Sequence, residues 1–147
     1  MRYQEERYDE YVRAVEEDDL HPGIGSLFAG HSSSGSRIGN LIFYGPSGVG
    51  KYSQALRVIK AYSPSALKYS NTITLDNGKY DYRLRISDVH YEIDMGLLGC
   101  NARALWTDVY THILDVVRSS HTEDKFGIIL CKNFHAIDTD LLEIFYS

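Results

Sequence analysis

The chain has 147 residues, 44% hydrophobic and 24% charged, with a formal net charge of −5. That is one domain's worth of chain with enough apolar content for a core, and its acidic balance excludes a protein that grips nucleic acid through overall charge. A charged start, Met1-Arg2-Tyr3-Gln4-Glu5, and the lack of a long apolar run exclude a secretory leader and a membrane-spanning helix. Cys100 and Cys131 lie in apolar surroundings without metal-ligand spacing, so they read as reduced, buried thiols of an intracellular, soluble protein.

Residues 3–20 predict an acidic helix with Tyr8, Tyr11, Val12 and Val15 on one side and its carboxylates in solvent, stopped at His21-Pro22-Gly23. Residues 30–36, rich in Gly and Ser, predict a linker, so residues 1–39 form an acidic N-terminal helix plus linker ahead of a domain over 40–147. A strand over residues 41–44 (Leu, Ile, Phe, Tyr) leads into a glycine loop, and a helix over about 52–62 follows with Ala55, Leu56 and Ile59 inward. Pro64 breaks that pattern. Residues 72–75 and 80–86 then alternate around Asp76-Asn77-Gly78, which predicts an edge hairpin with Asn77-Gly78 as a two-residue turn. A strand over 89–95 precedes a helix over 102–119 whose core face is Leu105, Val109, Ile113, Val116 and Val117. Residues 126–131 are a continuous apolar run, as in a parallel strand covered on both faces, and residues 138–146 begin a last helix. The order predicts an α/β three-layer domain in which 41–44, 89–95 and 126–131 are parallel strands of one sheet.

The chemistry sits in Gly45-Pro46-Ser47-Gly48-Val49-Gly50-Lys51, which fits G-x-x-x-x-G-K. Glycines at 45, 48 and 50 let backbone N–H groups close around phosphate oxygens without a Cβ in the way. Lys51 adds a point charge, and the N-terminus of the following helix adds its partial positive charge to the same anion. The pattern then calls for Ser or Thr, whose small hydroxyl would bind magnesium; this chain has Tyr52, a bulky phenol, with Ser53 one residue late on another helix face. Gly45 to Ser53 are therefore candidate nucleotide-binding residues, for ATP without magnesium. A working site would also end a later apolar strand in carboxylates, but after Cys131 come Lys132 and Asn133, a cation and an amide. No catalytic residue is assigned. His90, His112, His121 and His135 lack ligand spacing, so no metal site is assigned either, and Glu92 and Asp94, on one face of a strand, suggest a surface or partner-facing role.

Three segments in order, YGPSGVGK, HYEIDMGLLGCNARALW and GIILCKNFHAIDTDLLEIFYS, resemble the small subunits of replication factor C, the AAA+ sliding-clamp loader, most of all those of large nucleocytoplasmic DNA viruses. The resemblance covers about two thirds of the chain and leaves the N-terminal region outside it. It implies an AAA+ phosphate-loop NTPase fold with a parallel sheet and an inserted hairpin. It also implies a role in DNA replication, other clamp-loader subunits and a sliding clamp as partners, DNA contacted only through the assembly, no membrane, and a nuclear or cytoplasmic viral replication site. Clamp loaders of this type contain subunits with degenerate ATP sites, and Tyr52, Lys132 and Asn133 depart from the family in that direction. In the family, a strand later in sequence separates the loop strand from the acidic strand. Residues 40–147 are accordingly read as a partial domain with a truncated C-terminal half and a gap in its sheet. The alternative left open by the same residues is an active phosphate-loop ATPase or small kinase in which Ser53 serves magnesium.

Overall fold

The computed structural model describes residues 7–28, 39–76, 78, 81–121 and 125–147. Among them the chain is a mixed α/β protein with a four-stranded sheet and five α-helices, divided into two compact units. The first unit comprises residues 1–70 with 87–89, and the second residues 71–86 with 90–147. The linker over 30–36 lies outside the described residues.

In the first unit, α1 (Tyr8–Glu17) is an amphipathic helix with Tyr8, Val12 and Val15 buried, and the Glu10 carboxylate reaches back to accept from the Arg7 N–H at 2.9 Å. It packs on α3 (Lys51–Lys60), which buries Ala55, Leu56, Val58 and Ile59. The expected stop at residues 21–23 is instead a restart: α2 (Pro22–Phe28) begins there. Proline suits a first helical position, where its missing N–H leaves no bond unmade. α2 packs on α3, and a Cβ on Gly25 would stand 2.7 Å from the Arg57 guanidinium, which would have to shift to admit it.

The expected strand over 41–44 does not form. A strand exists only by pairing, and among the described residues nothing ladders with this segment; Ile42 is 89% and Tyr44 98% exposed. Its apolar run therefore has no pairing strand among the described residues, and only Phe43 is half-buried.

The second unit is built on the sheet β1-β2-β3-β4, with β1 (Asn71–Asp76), β2 (Asp81–Ile86), β3 (His90–Asp94) and β4 (Ile128–Lys132). The hairpin β1–β2 occupies one edge as expected, but it pairs antiparallel into β3, and only β3–β4 is parallel. The sheet is thus mostly antiparallel, not parallel. Asp76 stands opposite Asp81, and Gly78, between them, takes φ +81°; the turn expected at Asn77-Gly78 lies in part outside the described residues, as do positions 79 and 80.

One face of this sheet carries Ile73 and Leu75, Tyr82 and Leu84, Tyr91 and Ile93, and Ile129 and Cys131, all in one cluster with α4 (Ala102–Ser119) and α5 (Thr139–Tyr146). α4 matches its predicted span and buries Leu105, Trp106, Val109 and Ile113, but Val116 turns outward. Asp138 caps α5 by accepting from the N–H groups of Asp140 and Leu141, which holds the fully buried Leu141 in the core. No helix among the described residues is long and apolar enough to cross a membrane.

One thiol departs from the expected burial. Cys100 is exposed in a short 3-10 turn, Gly99–Asn101, whereas Cys131 is half-buried in β4, where desolvation pushes its thiol up to about 11. A thiol reagent at pH 8 is therefore expected to modify one cysteine quickly and to spare the other while the chain is folded, and Cys100→Ser should remove the fast phase. Mass spectrometry of the labelled chain checks this; rapid labelling of Cys131 would contradict the packing described.

Candidate nucleotide-binding loop

In the first unit the glycine loop turns at Ser47-Gly48 and enters α3 at Lys51. Gly48 has φ +78° and Gly50 +86°, left-handed values that glycine adopts at no steric cost and that let the chain reverse into the helix. Gly50 is the N-cap of α3, and its carbonyl accepts from the Gln54 N–H at 3.0 Å. Pro46, Ser47, Gly48 and Gly50 are exposed, and Gly45 and Val49 half-buried. The Lys51 ammonium is folded onto the loop, donating to the carbonyls of Gly45 and Pro46, both at 2.6 Å. The loop thus already curls around a charge, with that charge held by carbonyls at its start.

Tyr52, the departure from the motif, has a structural explanation. Its ring packs edge to face on Tyr11 of α1, centroids 5.0 Å apart, so the position serves helix packing where a small hydroxyl would serve a metal. Ser53 is half-buried on the next position of α3. The carboxylates expected in solvent are also partly engaged. Glu16 accepts from Lys60 Nζ at 2.7 Å, and the half-buried Asp19 accepts from the His21 N–H at 2.9 Å, from Gln54 Nε2 at 3.0 Å and from the Arg57 guanidinium. The His21 N–H first, then Arg57 and Gln54, hold the Asp19 carboxyl below its ordinary 3.8. The His21 ring in turn bonds the Val49 carbonyl within the loop, Nε2 to O 2.9 Å. Sequence reading misses Asp19 and His21, because nothing in their spacing announces a partner 28 to 38 positions away.

In the second unit the parallel pair β3–β4 brings Asp94 and Lys132 into register at the carboxyl ends of both strands. Asn133, next in line, takes a left-handed φ of +52°, which Asn tolerates better than most side chains, and its Nδ2 donates to Asp94 Oδ2 at 3.0 Å. Asp94 Oδ1 accepts from the Gly96 N–H at 3.0 Å. The amide at 133 is thus a donor matched to a carboxylate on the neighbouring strand, and an acid there would face Asp94. Glu92, expected on a partner-facing surface, is buried and paired with buried His90, Nε2 to Oε1 3.3 Å, and its cross-strand neighbour is Arg85. Among the described residues no group of three or more His, Cys, Asp or Glu could hold a metal ion.

No protein-family model matches the chain, and no curated protein matches it.

These contacts have two measurable consequences. Asn133→Asp should destabilise the chain by about 1 kcal/mol at pH 7 through like-charge contact with Asp94, and Asp94→Asn in the same chain should relieve it. Urea unfolding of the single and double variants measures this, and a neutral single variant would contradict the contact. For Asp19 the folded chain holds the carboxyl below 3.8, so its stabilisation is complete above that value and is lost as pH falls through the lower folded value. Asp19→Asn should therefore flatten the loss of stability below about pH 4, read from thermal melts between about pH 2 and 7. A melt whose acid limb is the same in both chains would oppose this account.

Proposed function

We propose that the chain is a clamp-loader-type AAA+ subunit acting in DNA replication, with a degenerate ATP site that holds nucleotide weakly and without magnesium and does not hydrolyse it. Its work on this reading is association with other clamp-loader subunits and a sliding clamp, at a nuclear or cytoplasmic viral replication site, with DNA contacted only through the assembly. β3 and β4 would be two parallel strands of a three-layer phosphate-loop NTPase sheet, with the hairpin inserted at its edge.

The observation that carries the reading is the loop itself: two left-handed glycines, an exposed turn over Pro46, Ser47 and Gly48, and a lysine at the first position of the following helix. This geometry fits a triphosphate held by backbone N–H groups, one ammonium and a helix N-terminus. The residues at the magnesium-handling positions do not fit that ion. In the first unit Tyr52 is packed on Tyr11; in the second, Asn133 donates to Asp94 and Lys132, beside it, is a cation. Nucleotide held this way would gain charge neutralisation from the loop, Lys51 and the helix end alone.

Calorimetry of ATP binding with magnesium and with chelator, alongside phosphate release, tests the proposal. Affinity should be nearly the same in both conditions, Lys51→Ala should weaken it at least tenfold, and Tyr52→Thr should introduce a magnesium dependence without turnover. Magnesium-stimulated phosphate release by the unaltered chain that disappears in Lys51→Ala would overturn the degenerate site in favour of an active ATPase.

A further inference from the structure

The stretch between α1 and α2 reaches the glycine loop through His21. His21 Nε2 lies 2.9 Å from the Val49 carbonyl oxygen, so the ring carries its proton there and donates to that oxygen. The ring's own backbone is fixed, because the His21 N–H donates to Asp19 Oδ1 at 2.9 Å and Asp19 is tied to α3 through Gln54 and Arg57. Asp19 and His21 thus connect the body of α3 to the loop that precedes it.

The bond matters because of the peptide unit that joins Val49 to Gly50. In a planar trans peptide the carbonyl and the next N–H point in opposite directions. Holding the Val49 carbonyl toward His21 therefore turns the Gly50 N–H to the opposite side. Glycine is the residue least able to hold a peptide orientation by itself, and Gly50, at φ +86°, has no atom within 4 Å of where a Cβ would stand. An external anchor on the preceding carbonyl supplies what the side chain at 50 cannot.

We propose that His21, braced by Asp19, is a positioning residue of the loop: it sets the Val49–Gly50 peptide so that the Gly50 N–H is presented to a phosphate oxygen. The inference rests on the reading of the loop as a triphosphate site. It extends the site into the acidic N-terminal region, which the motif does not reach. The ring needs only an N–H at Nε2 to make this bond.

The test compares the unaltered chain with His21→Met, which keeps bulk but has no donor, and His21→Gln, whose amide can donate to the same carbonyl. Two quantities are read: the Gly50 amide resonance in the ligand-free chain, and the affinity for inorganic tripolyphosphate in chelator. His21→Met should move the Gly50 resonance and weaken tripolyphosphate about tenfold, while His21→Gln keeps both near the unaltered values. Thermal melts within a few degrees of one another separate positioning from folding; should His21→Met fail to fold, His21→Asn, whose shorter amide falls short of Val49, takes its place. Equal tripolyphosphate affinity in the Met and Gln variants, or a Gly50 resonance that neither moves, overturns the proposal. Absence of tripolyphosphate binding by the unaltered chain overturns the phosphate reading instead. The Gly50 resonances then decide separately whether His21 sets the peptide: a shift with Met that Gln restores supports it, and no shift overturns it.

Discussion

The first unit is organised around one carboxylate. Asp19 collects a backbone N–H from the turn that starts α2 and two side-chain donors from α3, so α1, α2 and α3 meet at a single anion. Hydrogen bonds to an ionised acceptor are stronger than neutral ones, and three of them on one group fix its neighbours more firmly than any one would. The glycine loop inherits that order from both ends. Lys51 begins the helix that Asp19 anchors, and Val49 is bonded by the histidine whose backbone Asp19 holds.

The second unit obeys a simpler constraint. One sheet face and two helices share an apolar core, and the polar groups at the carboxyl ends of β3 and β4 satisfy one another. Asp94 is spent on that purpose: it caps the turn after β3 and receives the Asn133 amide. An acid in place of Asn133 would set two carboxylates within hydrogen-bonding distance, and these repel each other unless a proton or cation intervenes.

How much of this is legible in the sequence depends on the range of the interaction. Local periodicity locates α4 to the residue, and β3, β4 and α5 to within about two residues, because each carries its burial pattern within its own span. The pairing of residues 41–44 is not legible, since a continuous apolar run says that a strand would be buried but not whether a partner is present. Pro22-Gly23 reads as a stop because the same proline that cannot continue a helix is favoured at the start of one. In the loop, spacing identifies Gly45 to Lys51, but not why position 52 is aromatic. That reason is Tyr11, a ring on α1, far back in the chain. Asp19 and His21 stay hidden for the same reason, as their meaning comes only from partners that folding brings to them; the His90–Glu92 pair is local, and what strand spacing does not reveal is its burial.

The central claim is that the loop holds a triphosphate by backbone, lysine and helix end, with no place for magnesium. A crystal structure of the chain grown with ATP and magnesium addresses it most directly. The account predicts phosphate oxygens on the N–H groups of the loop, Lys51 Nζ moved from the Gly45 and Pro46 carbonyls onto the phosphates, Tyr52 still against Tyr11, and no metal ion coordinated by protein. A magnesium ion coordinated by Ser53 or by any other side chain beside the bound nucleotide, or a loop whose N–H groups stay clear of phosphate at saturating ATP, would contradict it.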